Sequence, residues 1–310
     1  MFRRREETKK CTICATPTNS VAYSFKKPYK MYRCFNCSLL FLQPVPDTEA
    51  IRSLYSEDYY KKHNLQYFSD IDDAEIESRL LLCQDGVKHE VHPYKKEGRL
   101  LEIGCASGFF LKAAQRLGWD VFGVEVSEYA SRFASFRLGL GSRIINKRLE
   151  DADLPANHFD VIVLFMVLEH MPYPMTVLET AKCCLKPGGI VIMKIPNYRC
   201  VESYIFGNNW HQLSFPHHLY IFSPASMDKI IWQLRFKTLT LSTYRHFSNY
   251  INPASDHMLE RLSKRSLTVK QKTGMFKRPL KFIYKTVFDL IDKRLLLGEQ
   301  LRVVLQKDED

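Results

Sequence analysis

Long apolar stretches are missing from this chain of 310 residues: the longest, Val161 to Leu168, has eight. A bilayer needs about 20, so no membrane span is expected. The first residues, Met1-Phe2-Arg3-Arg4-Arg5-Glu6-Glu7, carry charge but lead into no apolar segment of the kind that drives secretion, and a cytoplasmic chain is the expectation. Internal repeats and low-complexity tracts are absent too, which excludes solenoid and fibrous architectures. Acidic residues are in short supply, 34 against 45 Lys and Arg, for a formal net charge of +11. The imbalance is local: residues 261–298 hold eleven Lys or Arg against two Asp.

Nine cysteines without a secretory context argue against a disulfide framework. Four fall in two Cys-x-x-Cys pairs, Cys11-Thr12-Ile13-Cys14 and Cys34-Phe35-Asn36-Cys37, separated by nineteen residues. Two such knuckles can close a tetrahedron of thiolates around zinc, leaving no position for water, so a structural site is expected. The intervening segment has strand character and too few apolar residues to fold unaided, and metal binding would supply the missing stability. A redox dithiol is the weaker alternative, because nothing thioredoxin-like surrounds the pairs. Cys83, Cys105, Cys183, Cys184 and Cys200 receive no role.

The most informative stretch runs Leu100-Leu101-Glu102-Ile103-Gly104-Cys105-Ala106-Ser107-Gly108-Phe109 and continues through Gly118-Trp119-Asp120 to Glu125. It reads as a buried strand, a turn of small residues, a helix, and a second strand ending in a carboxylate, the opening of a nucleotide-binding α/β fold. A dinucleotide site would want Gly or Ala five residues after Gly104, where Phe109 stands. Glu102 would also repel a pyrophosphate and attract an ammonium group. A cationic ligand with an adenosyl ribose is favoured.

These residues resemble the first motif of class I S-adenosylmethionine (SAM)-dependent methyltransferases. The resemblance continues through most of residues 95–245: Asn157 to His170 resembles the family's fourth strand with its Leu-Glu-His ending, and Leu185-Lys186-Pro187-Gly188-Gly189 the turn into the fifth. It implies that Glu102, Gly104, Ala106 and Gly108 hold the methionine part of the cofactor. Glu125 would bind the ribose hydroxyls, Glu150 or Asp151 would read the adenine amine, and Phe165 would line the cofactor site. The Tyr-x-Cys-x-x-Cys pattern, followed by an apolar run and Pro44-Val45-Pro46-Asp47, is similar to bacterial methyltransferases with an N-terminal zinc ribbon. Their substrates, where known, include sugars of surface polysaccharides and related metabolites.

The expected architecture is α/β: a Rossmann-like seven-stranded class I sheet with an antiparallel last strand, plus a small zinc ribbon. Strands are expected near 99–104, 120–125, 142–147, 159–166 and 188–195, then Lys237–Tyr244 and Gly298–Lys307. Three regions follow: a ribbon over 1–46, a helical linker and lid over 47–94, and the methyltransferase domain over 95–310. In the linker, Asp47 caps a short helix, a lid follows Tyr55 to about Asp70, and a helix over 72–91 turns Ile76, Leu80, Leu81, Cys83 and Val87 inward. A basic helical insertion spans about 250–297. Its amphipathic helix from Pro279 has two readings: packing with a solvated basic face, which the sequence favours, or lying on an anionic inner membrane surface.

Methyl transfer from a sulfonium asks chiefly for in-line alignment and one base near neutral pKa. After the fifth strand come Trp210-His211 and Phe215-Pro216-His217-His218, at the sheet edge where open α/β folds bind ligands. His217 or His218 is the expected general base, with His170 the third candidate; the alternative is that each braces the loop. Trp210, Phe215 and Tyr220 suit either an acceptor wall or the core. A second metal site among these histidines is disfavoured because no nearby carboxylate completes it. The leading function is methylation of a small-molecule acceptor. An RNA methyltransferase gripping phosphates through the ribbon and basic segment is the rival, although the Asn/Asp-Pro-Pro-Tyr/Phe signature is missing. A third reading, a scaffold that binds the cofactor without transferring it, is disfavoured by the acids, glycines and histidines together.

Overall fold

The computed structural model describes residues 8–56, 71–245, 292 and 294–309. The expected lid beyond Ser56, and nearly all of the basic insertion with its amphipathic helix, lie outside the described residues. No described helix is long and apolar enough to cross a membrane.

Thirteen strands are described: β1 Lys9–Lys10, β2 Pro17–Thr18, β3 Val21–Ser24, β4 Lys30–Arg33, β5 Leu40–Gln43, β6 Arg99–Ile103, β7 Asp120–Val124, β8 Ile144–Ile145, β9 Phe159–Phe165, β10 Leu185–Pro196, β11 Tyr220–Ile221, β12 Lys237–Tyr244 and β13 Gln300–Gln306. Seven form one sheet in the order β12-β13-β10-β9-β6-β7-β8. Strands β6 to β10 run parallel, and β13 is antiparallel to both β10 and β12. The strand order turns back beside β6, so the carboxyl ends of β6 and β9 flank the crevice that such sheets offer to ligands.

Two expected strands differ in extent. The third is only Ile144–Ile145, because Gly141–Arg143 winds into a 3₁₀ turn. The fifth reaches back to Leu185 and takes the Pro187-Gly188-Gly189 turn as a register shift before Ile190.

Alternation along the central strands divides the core between the two faces of the sheet. Leu101, Ile103, Ile162, Leu164, Val191 and Met193 belong to one cluster. Leu100, Val121, Val161, Val163, Ile190 and Ile192 belong to the other, with the helices Asp73–Glu90 and Phe109–Arg116. The helix Asp73–Glu90 starts where Asp72 accepts the Glu75 N–H at 2.8 Å. Ile76, Leu80 and Val87 are buried as expected, but Leu81 is 55% exposed and Cys83 only half-buried. Successive helical residues turn by about 100°, which carries Leu81 off the face that Leu80 occupies.

The cysteine-bearing segment does not stand apart. Strand β5 pairs with β4 on one side and with β11 on the other, giving a four-stranded sheet β11-β5-β4-β3 that joins the N-terminal strands to the segment after β10. Leu39, Leu40, Phe41 and Leu42 are fully buried in the same cluster as Leu164 and Met193. Trp210 and Tyr220, 2% and 1% exposed, are core residues of this junction. Phe215 stacks on Phe25 at 4.7 Å and tilts against Tyr29. Trp210 and Tyr220 thus lie in the core, and Phe215 is half-buried against it.

Candidate active site

The turn after β6 is built on left-handed backbone: Gly104, Ala106 and Gly108 have φ of 70°, 45° and 75°. A Cβ on Gly104 would lie 2.7 Å from Val167, and one on Gly108 would lie 2.8 Å from Leu140 and 2.9 Å from Ala134. Both glycines thus permit close packing within the protein. Ala106 is half-exposed beside the crevice and holds its positive φ without being glycine. Its N–H donates to Glu125 Oε2 at 2.8 Å, and the Ser127 N–H donates to Oε1 at 2.8 Å. The acid at the end of the second strand is therefore aimed at the turn, 5% exposed, with lone pairs left for a diol.

Glu102 is 6% exposed, and its Oε2 has no hydrogen-bond partner among the described residues. Burial, and then the neighbouring charge of Glu125, push the Glu102 carboxyl well above the ordinary carboxylate range. Burial also raises Glu125, against the pull of the amides of Ser127, Ala106 and Val126. Two adjoining buried carboxylates, one with an unsatisfied oxygen, suit a ligand that brings an ammonium group and a pair of hydroxyls.

Glu150 and Asp151 both lie on the surface, in the 3₁₀ turn Leu149–Asp151. Asp151 is held by Arg148 through Nε at 2.7 Å and Nη2 at 3.1 Å, and that hydrogen bond lowers its pKa. Phe165, at the end of β9, is half-buried; it meets the Phe110 ring edge-on at 5.1 Å and lies beneath the Lys194 ammonium.

The turn after β9 ties the crook to the histidines. Val167 packs against Gly104 and accepts the His170 N–H at 2.9 Å. The rings of His170 and His218 lie 4.8 Å apart, and the Tyr55 ring meets His170 and His217 edge-on, each at 6.1 Å. All three expected base candidates are thus brought together from segments 47 residues apart. His211 points elsewhere, its Nε2 lying 2.6 Å from the buried Glu299 carboxylate.

Burial lowers His170 to about 4 and His218 to about 3, each only partly offset by the carbonyl its ring faces, His217 and Gln212 respectively. Beside them sits Glu169, which sequence reading passed over. It is fully buried, both its oxygens lack partners among the described residues, and burial raises its pKa to about 8. The Leu-Glu-His triplet was the signal that could have found it.

In the N-terminal segment the four expected thiols converge. Cys11 and Cys37 sulfurs lie 3.6 Å apart, Cys14 and Cys34 3.5 Å, and Cys14 and Cys37 3.7 Å. A zinc–sulfur bond of about 2.3 Å gives a tetrahedral edge of roughly 3.8 Å, so the cluster has the dimensions of a four-thiolate site.

A methyltransferase-domain family model matches residues 60–241. Ubiquinone biosynthesis O-methyltransferase of Paraburkholderia phymatum is 33% identical over 155 residues, 46% of this chain and 66% of the relative. The enzyme of the same name from Thiobacillus denitrificans is 28% identical over 196 residues, 62% and 73% of the two chains. The match thus spans about two thirds of these relatives' length. Among solved structures, a SAM-dependent methyltransferase from Archaeoglobus fulgidus aligns with TM-score 0.50 and 20% identity, over 74% of this chain and 94% of that one. Phosphoethanolamine N-methyltransferase 2 of Haemonchus contortus, solved with SAM, aligns with TM-score 0.50 and 15% identity over 87% and 62%. The sheet order, the acid-bearing crook and the family match over more than half its length lead to one conclusion: the chain belongs to the methyltransferase-domain family and is a class I SAM-dependent methyltransferase.

Proposed function

We propose that this enzyme methylates a hydroxyl oxygen of a small-molecule acceptor, with His217 as the proton acceptor. The observation that carries the reading is the shared turn: Val167 packs on Gly104 while His170, three residues on, meets the segment bearing His217 and His218. The relatives' names as O-methyltransferases support oxygen as the acceptor atom. The ribbon-bearing relatives that the sequence resembles support a sugar of surface polysaccharide, or a related metabolite, as the acceptor class.

Bound at the crook, SAM supplies a methyl group already activated by its sulfonium charge. Glu102 receives the ammonium, Glu125 the ribose hydroxyls, and Glu150, exposed at the rim, the adenine amine in preference to Asp151, which Arg148 occupies. Ala106 and Phe165 border the same crevice. His217, half-buried, takes the acceptor's hydroxyl proton as the oxygen bonds to the methyl carbon; the electron pair of the broken carbon–sulfur bond stays on sulfur. His170 and His218, held at low pKa, serve the loop instead of the proton. The four cysteines hold a structural zinc.

Transfer of labelled methyl from SAM to a metabolite extract, compared with transfer to RNA, tests the reading. Label in the small-molecule fraction is expected; label in RNA alone would instead favour the nucleic-acid enzyme. His217→Gln should lower the transfer rate about 10²- to 10⁴-fold with SAM affinity retained.

A further inference from the structure

The histidine cluster contains the carboxylate that a second metal site needs. Donor atoms of Glu169, His170 and His218 all lie within 4.8 Å of one another, and His170 Nε2 stands 3.9 Å from Glu169 Oε1. Donors bound about 2.0–2.2 Å from one ion are at most about 4.4 Å apart, so a small side-chain adjustment closes the set.

The hydrogen bonds around the rings prepare them for this. His170 Nδ1 lies 2.9 Å from the His217 carbonyl, and His218 Nδ1 lies 2.7 Å from the Gln212 carbonyl. A carbonyl only accepts, so each Nδ1 carries the hydrogen and each neutral ring keeps its lone pair on Nε2. Metal-ligating imidazoles are oriented in this way. Glu169 strengthens the argument: an acid wholly removed from water, with neither oxygen hydrogen-bonded among the described residues, is costly to bury, and a bound cation would satisfy it.

We infer that Glu169, His170 and His218 bind a divalent first-row transition-metal ion, leaving an open coordination position for the acceptor's oxygen. One carboxylate and two imidazoles are a donor set for zinc, manganese, cobalt or iron(II). The inference deepens the proposed hydroxyl methylation: an ion there orients the acceptor and makes its hydroxyl more acidic, and the proton passes to His217.

The probe is Mn²⁺, which thiolate tetrads disfavour, titrated into chelator-stripped full-length protein and followed by electron paramagnetic resonance. One Mn²⁺ per chain is expected, with modulation from imidazole nitrogens in its pulsed spectrum. Affinity should fall at least tenfold in Glu169→Gln and in His218→Gln. Glu169→Gln removes an unpaired buried carboxyl and should fold, as unchanged SAM affinity would verify. Uptake no greater in wild type than in Glu169→Gln, or a bound ion without nitrogen modulation, overturns the site. Because the readout is uptake, it separates the two ideas: Mn²⁺ bound without hydroxyl methylation removes the proposed function, and methylation without uptake removes the metal.

Discussion

At the residue scale, the two buried acids beside the turn after β6 make the sharpest prediction. Burial and the neighbouring Glu125 charge raise the Glu102 carboxyl in the free protein, and an arriving ammonium favours the ionised form, lowering its pKa. SAM binding should therefore release a proton. Calorimetry in buffers of differing ionisation enthalpy should detect that release, and Glu102→Gln should abolish it. Because the folded-state pKa is raised, Glu102 supports the unliganded fold below about pH 4.5 and withdraws that support as pH rises through its folded value; Glu102→Gln should flatten this dependence in thermal melts. Glu125→Ala should weaken SAM binding by about 1–3 kcal/mol, since the Ala106 and Ser127 amides also lose their acceptor. Unchanged affinity would remove its ribose role. That both acids end up buried beside one turn was legible because they lie on consecutive strands of one continuous stretch. Glu169 was not, since its meaning depends on His218, which the fold brings in from 49 residues away.

At the scale of elements, strands β6, β7 and β9 announced themselves through apolar runs bounded by Gly or charged residues, and β12 through alternation. What alternation could not reveal was β11. Two residues long, it exists because β5 offers it an edge, with Tyr220 opposite Phe41 and Ile221 opposite Leu40. The Leu42 N–H reaches the Leu219 carbonyl at 2.8 Å, and the Ser223 hydroxyl donates to the Cys37 carbonyl at 2.8 Å while also capping the helix Pro224–Leu234. A cysteine knuckle is thereby fastened to the segment that starts one residue after His218. Stripping the metal with a chelator should speed amide exchange across residues 211–223, and restored zinc should reverse it. Exchange confined to residues 8–46 would mean that the two segments fold independently. Ser223→Ala should cost about 1 kcal/mol through the lost cap alone.

For the molecule as a whole, the decisive feature is how the chain returns to the sheet after residue 245. Arg245 ends the stretch running on from β12, and Asp292 is the first described residue beyond 245. They meet with Nε at 2.6 Å from Oδ2 and Nη2 at 2.8 Å from Oδ1. Nη1 reaches Glu202 on the helix Val201–Phe206, Nη2 also donates to the Leu297 carbonyl, and Thr243 donates to the Asp292 carbonyl. All three charged side chains are at most 4% exposed. No sequence pattern pointed to them, because an ion pair between residues 47 apart has no period and no motif. The pairing closes a long segment at its base and sets β13 in register between β10 and β12, a register on which the antiparallel end of the sheet depends. Removing one member of such a buried set strands the others without compensation, and the cost is about 3–5 kcal/mol. Arg245→Ala should therefore lower stability to urea by that amount. Added Asp292→Asn and Glu202→Gln should recover part of the loss, because the stranded charges go with them. A triple variant no more stable than Arg245→Ala would mean that packing of the guanidinium, not its charge, holds the end of the sheet in place.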